Sequence, residues 1–94
     1  MEFVNKIILQ GIVGAVRKDA RCTSFSLVVE ENYNLEGENI IDTIWFNCRA
    51  FSDLSVNKGD WVRVEGRSKI FRYLTQDDAG RITYEVIVEK LEKL

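Results

Sequence analysis

Hydrophobic and polar residues alternate along most of this chain with a period of two, and the interruptions are short and polar. Thr23–Val29 shows the pattern plainly: Phe25, Leu27 and Val29 fall on one side, and Ser24, Ser26 and Val28 on the other. Such alternation predicts a half-buried strand. Lys6–Gly14, a β-branched run punctuated by glycines, predicts another. Asp42–Phe51, Asp60–Arg67 and Arg81–Val88 predict three more. The last continues into Val88–Leu94, where apolar residues at 88, 91 and 94 fit a helical spacing as well as a fraying strand. Nowhere do ten or more residues keep a clean helical period.

The breaks have their own chemistry. Asn57–Asp60 is a tight-turn cluster, and Gln76-Asp77-Asp78-Ala79-Gly80 suits a hairpin tip. Glu30–Glu38, acidic and holding Asn32, Asn34 and Gly37, reads as an exposed loop. Five strands with polar turns in 94 residues predict one all-β domain spanning residues 1–94. A five-stranded OB-fold Greek-key barrel fits best, with an SH3-like barrel as the structural rival.

Composition narrows the function more than the fold. The chain is 46% apolar and 30% charged and has no proline, which is globular and leaves no linker. No run approaches the roughly 18 apolar residues of a membrane span, and Met1–Lys6 lacks the features of an export signal. These features predict a cytoplasmic protein with no membrane partner. Two separated cysteines, Cys22 and Cys48, and no histidine predict no metal site and no cofactor, only reduced thiols in or near the core. The chain lacks a Ser/His/Asp set and a phosphate-cradling glycine loop, and Asp77-Asp78 reads as a solvated turn, so no enzyme is predicted. The net charge of −2 runs against nucleic-acid binding. A sum, however, does not describe a local groove.

The informative stretch is Thr43–Phe51. Alternation puts Ile44, Phe46, Cys48 and Ala50 on one face and Trp45, Asn47, Arg49 and Phe51 on the other. The first set is compact and apolar and belongs to the core. The second exposes two large rings flanking an amide and a guanidinium. Bases stack on such rings regardless of sequence, and the cations meet phosphates. The plain alternative is that Trp45 and Phe51 cover a loop or an oligomer contact. Arg67, Lys69, Phe71 and Tyr73 share a side if the segment after Arg67 is extended, again mixing cations with rings; a solvated hairpin is the alternative. Lys6, Arg17 and Arg72 complete the candidate phosphate contacts. Trp61 lies in phase with Arg63 and Glu65, opposite Val62 and Val64, which suits a subunit interface or a partly covered surface.

Asn5–Gly11, Phe25–Glu30, Thr43-Ile44-Trp45 with Phe51, Val62–Arg67 and Asp77–Val88 resemble, in order, segments of the bacterial single-stranded DNA-binding proteins. The resemblance covers almost the whole chain. It implies an OB fold, a homodimer or homotetramer, and work in DNA replication, repair or recombination. Matching positions imply stacking aromatics at Tyr33, Trp45, Phe51 and Tyr73, and an oligomer contact near Trp61 and Arg63. The family carries a helix between its third and fourth strands, for which Ser52–Asn57 has room for about one turn. The family also ends in an acidic tail, whereas this chain stops at Leu94. That departure points to a tailless member of phage or mobile-element origin, or to a relative of primosomal replication protein N. The leading expectation is sequence-independent binding of single-stranded DNA. The alternative is a primosomal or conjugation-associated adaptor with weak DNA binding, whose partners are replication or primosome proteins.

Overall fold

The computed structural model describes residues 1–74, 76 and 80–94, without the side chains of Tyr73 and Leu74. Five strands form: β1 (Ile7–Asp19), β2 (Cys22–Leu35), β3 (Glu38–Ala50), β4 (Trp61–Leu74) and β5 (Gly80–Lys93). They close into a barrel in the order β1-β2-β3-β5-β4. An up-and-down order would put β4 beside β3. Here β5 takes that place, in a short parallel pairing of Cys48 with Val86 and Arg49 with Ile87, and every other pair is antiparallel. This exchange makes the barrel the OB-type Greek key and sets aside the SH3-like rival.

The inward positions of each strand meet in one core of Val13, Phe25, Leu27, Cys48, Val56, Val62, Val64 and Val86. Val13, Leu27, Val62 and Val64 are almost wholly buried, as period-two side chains on the inner wall of a small barrel must be. Gly66 serves the closure. A Cβ there would drive into the Ile87 carbonyl, at the bulge where β4 and β5 shift register between Glu65 and Gly66. Bulges of this kind bend the strands enough for the sheet to close.

Two expectations change, and the open choice at Val88–Leu94 resolves to strand. Residues 30–38 are not a loop: β2 and β3 stay paired, without a break in register, out to Leu35 and Glu38. A two-residue turn joins them, with positive φ at Glu36 (52°) and Gly37 (84°), as a tight hairpin requires. The Gly37 N–H donates to Asn34 Oδ1 at 3.0 Å. Val88–Leu94 belongs to β5 as far as Lys93, because this segment pairs with Val62, Arg63 and Val64 of β4. Ser52–Asn57 forms no helical turn; among the described residues there is no helix. Instead buried Thr23 donates to the Ser52 carbonyl (2.9 Å) and accepts from the Leu54 N–H (3.0 Å), while Val56 plugs into the core. The hairpin tip expected at residues 76–80 has Gln76 and Gly80 at its ends, and Asp77, Asp78 and Ala79 lie outside the described residues.

Candidate nucleic-acid interface

The outward face of β3 is as its alternation predicts. Trp45 is 62% exposed and Phe51, just past the strand, is 61% exposed. Asn47 and half-buried Arg49 lie between them. The register explains what gathers beside Arg49. Arg17 pairs with Ser24, Ser24 with Arg49, Arg49 with Ile87, and Ile87 with Arg67. Three arginines of β1, β3 and β4 therefore stand in one lateral row across the sheet. Lys69 joins them from β4, its Nζ lying 5.2 Å from the centre of the Phe71 ring, with the Arg49 guanidinium 5.6 Å from the same ring. Cation–π contacts of this kind hold long side chains in place while leaving their charge available.

A cleft of about 450 Å³ opens at the Arg17 and Arg49 end of this row, with Asp19, Ser24, Asn47 and Glu85 also on its walls. Glu85 departs from a simple basic groove. Its Oε1 accepts from Arg49 at 3.0 Å, and its Oε2 is buried with no hydrogen-bond partner among the described residues. Arg49 is thus half committed before any ligand arrives. Removing it would leave a largely buried carboxylate uncompensated, which is costly. Arg49 is both a candidate phosphate contact and a tie between β3 and β5.

Trp45 is positioned from below. A Cβ at Gly14 would lie 2.8 Å from Trp45 Cζ3, so the indole rests across the bare glycine backbone of β1. Ser26 Oγ sits beside it and accepts the Ala15 N–H at 2.9 Å, just where the β1–β2 register shifts between Val13 and Val16.

The remaining predicted residues divide. Tyr33 lies in the β2–β3 hairpin rather than a loop. It falls in the phase of Leu27 and Phe25, not in that of Trp45, because thirteen consecutive β2–β3 pairs keep the alternation unbroken. Its hydroxyl donates to Asp42 at 3.0 Å. That bond, and then the Asp42 charge, raise the phenol above its ordinary range. Arg72 is exposed but pairs with Ile82, on the arm face opposite Lys69 and Phe71. Lys6 is exposed just ahead of β1, next to Asn5, whose amide makes two bonds to the Ser68 backbone (2.7 and 3.1 Å). The Tyr73 backbone pairs with Arg81, and its side chain lies outside the described residues. Trp61, 55% exposed, and Arg63 share an outward face with Ile8 and Gln10 of β1, Arg63 sitting 3.8 Å from Glu65.

Five of the acidic residues, Glu30, Glu31, Glu36, Glu38 and Asp42, lie on the β2–β3 hairpin. In the cleft itself Asp19 and Glu85 stand with Arg17 and Arg49, so its charges balance, and the further cations of the row, Arg67 and Lys69, come from β4. Glu85, Ile82 and Tyr84 belong to the site region without a signal in the sequence. Their place depends on β5 lying beside β3, a contact between residues far apart in the chain. Among the described residues no group of three or more His, Cys, Asp or Glu stands together, and no helix is long and apolar enough to cross a membrane.

Solved structures share this fold. The Plasmodium falciparum SSB in complex with ssDNA is 23% identical, with a TM-score of 0.84, covering 100% of this chain and 97% of that one. A small single-stranded DNA-binding protein of Streptomyces coelicolor is 22% identical, with a TM-score of 0.67, covering 94% and 92%. A mitochondrial single-stranded DNA-binding protein of Saccharomyces cerevisiae is 20% identical, with a TM-score of 0.66, covering 100% and 97%. No curated protein matches the chain. The model of the single-strand binding protein family matches residues 4–94, and the chain belongs to that family.

Proposed function

We propose that this chain binds single-stranded DNA without sequence preference, in replication, repair or recombination. The observation that carries this is the lateral row of Arg17, Arg49 and Arg67 beside the exposed rings of Trp45 and Phe51. A single strand laid along the cleft turns its bases onto the rings and its phosphates toward the guanidiniums. Each stacked base contributes about 1–3 kcal/mol whatever its identity. A duplex hides its base faces and gains only the phosphate contacts. Family membership puts DNA binding ahead of the adaptor reading.

The role is binding rather than catalysis, in the cytoplasm. The chain assembles as a homodimer or homotetramer through the outward face of β1 and β4, where Trp61, Arg63 and Ile8 are the contacts. Tyr33 and Tyr73 extend the path along the two hairpins, and Lys6 and Arg72 add phosphate contacts. Anisotropy with a labelled thymidine oligonucleotide tests the central reading. Four to six neutralised phosphates give a slope of log K against log salt of roughly −3 to −4. Trp45→Ala should weaken thymidine, cytidine and mixed oligonucleotides alike, by about tenfold. Unchanged binding by Trp45→Ala would remove the face of β3 from the interface.

A further inference from the structure

A second cleft, of about 460 Å³, opens where β3 and β5 splay apart beyond their short parallel contact. We infer that this cleft is an additional base-binding slot for single-stranded DNA, with Tyr84 as its stacking platform. The inference rests on the DNA-binding reading above and extends its path.

Tyr84 is 64% exposed, although it sits mid-strand in β5. Its ladder partner Ile70 is 49% exposed, and Ile82, two residues earlier on the same face, is 56% exposed. Val86 continues that face into the core. The three side chains therefore carry the barrel's inner sheet surface beyond its rim, where they stand exposed among the described residues. Phe46 of β3 stands on the other side of the cleft. Such a cluster of large exposed apolar residues marks a binding surface, and the volume falls within the roughly 300–1,000 Å³ of small-ligand sites.

Two observations select a nucleobase as the occupant. The first is continuity: Asn47 and Glu85 line both this cleft and the arginine-lined one, and Trp45 lines this one as well, so the two clefts adjoin along the proposed path of the strand. The second is charge: Arg72 pairs with Ile82 and brings a cation to the same face of the arm. The β4–β5 arm thus presents a ring and a cation on each side, Phe71 with Lys69 on one and Tyr84 with Arg72 on the other. An apolar peptide would have no use for the cation.

The test is photocrosslinking of the full chain to a thymidine oligonucleotide carrying 5-iododeoxyuridine, with the adduct mapped by mass spectrometry, alongside anisotropy for Tyr84→Thr and Tyr84→Phe. Thr keeps strand propensity at an exposed position, so the variant folds. The expected result is an adduct on Tyr84, affinity about tenfold lower for Tyr84→Thr, and near-parental affinity for Tyr84→Phe, which keeps the ring. Trp45 quenching at saturation should survive in both variants. If the parent quenches Trp45 but gives no adduct at residues 82–84, and Tyr84→Thr binds as the parent does, the slot is overturned while the DNA-binding reading stands. If Tyr84→Thr changes the sedimentation mass but not the affinity, a second copy occupies the cleft, and the inference fails. If the parent neither binds nor quenches, the DNA-binding reading itself fails.

Discussion

Gly14 is where a minimal change reaches the interface without touching a ligand contact. Adding a methyl group there places a carbon 2.6 Å from Ser26 Oγ and 2.8 Å from Trp45 Cζ3. Carbon atoms in ordinary contact stand about 3.5–4.0 Å apart, so the indole edge must move by about 1 Å. Both clashing atoms end side chains, and Gly14 does not lie at positive φ, so the backbone has no reason to yield. The main structural cost is the Ser26 hydrogen bond to the Ala15 N–H, worth about 1 kcal/mol. Alanine loses less conformational freedom than glycine on folding, which offsets roughly 0.5–1 kcal/mol. Gly14→Ala should therefore fold with nearly parental stability. The tilted ring no longer offers its face at the same angle, and losing half of one stack, about 1 kcal/mol, means roughly fivefold weaker binding. Urea unfolding and oligonucleotide titration in a Trp61→Phe background, where Trp45 is the remaining indole, measure both quantities. A folded Gly14→Ala variant with parental affinity and parental quenching would show that the angle of Trp45 does not matter, and would refute this reasoning.

The other consequences concern the fold. Gly66→Ala meets backbone rather than a side chain, the Ile87 carbonyl, so the β4–β5 ladder must part; thermal melts should show a loss of several kcal/mol, the upper range for single substitutions. Thr23→Val keeps the shape but leaves the Ser52 carbonyl and the Leu54 N–H unpaired, and should cost about 2 kcal/mol in urea unfolding. Burial pushes the Cys48 thiol from its ordinary 9.0 up to about 12. The unfolded chain then loses this proton before the folded one, so stability present below pH 9 should fall between pH 9 and pH 12. Cys48→Ala should flatten that part of the pH profile, and a thiol reagent at pH 8 should label half-buried Cys22 while sparing Cys48 in the folded protein.

What the sequence made legible follows burial. Thr43–Phe51 could be divided into faces because one face is enclosed by the barrel, so apolar and polar residues had to alternate. The same holds for Phe25 and Leu27, and for Val62 and Val64 opposite Trp61 and Arg63. The pattern disappears where both faces meet solvent. Residues 30–39 are all exposed, so nothing in their chemistry distinguishes a paired hairpin from a loop, and only Gly37 hinted at the turn. Tyr33 falls within this stretch, so its place in a paired hairpin is not legible either. The outer arm of β4 and β5 extends past the barrel in the same way, so alternation there does not tell an enclosed face from an exposed one, and Ile70, Ile82 and Tyr84 stand exposed. The Arg49–Glu85 pair, the seat of Trp45 on Gly14 and the row of three arginines depend on which strands become neighbours. No local pattern encodes that choice.

Titration with a thymidine oligonucleotide and with a duplex of the same length, following tryptophan emission at low and at high salt, tests the central claim most directly. Stacking on Trp45 predicts strong quenching by the single strand alone, weakening as salt rises. Equal responses to the two ligands, or no response to either at low salt, would contradict it.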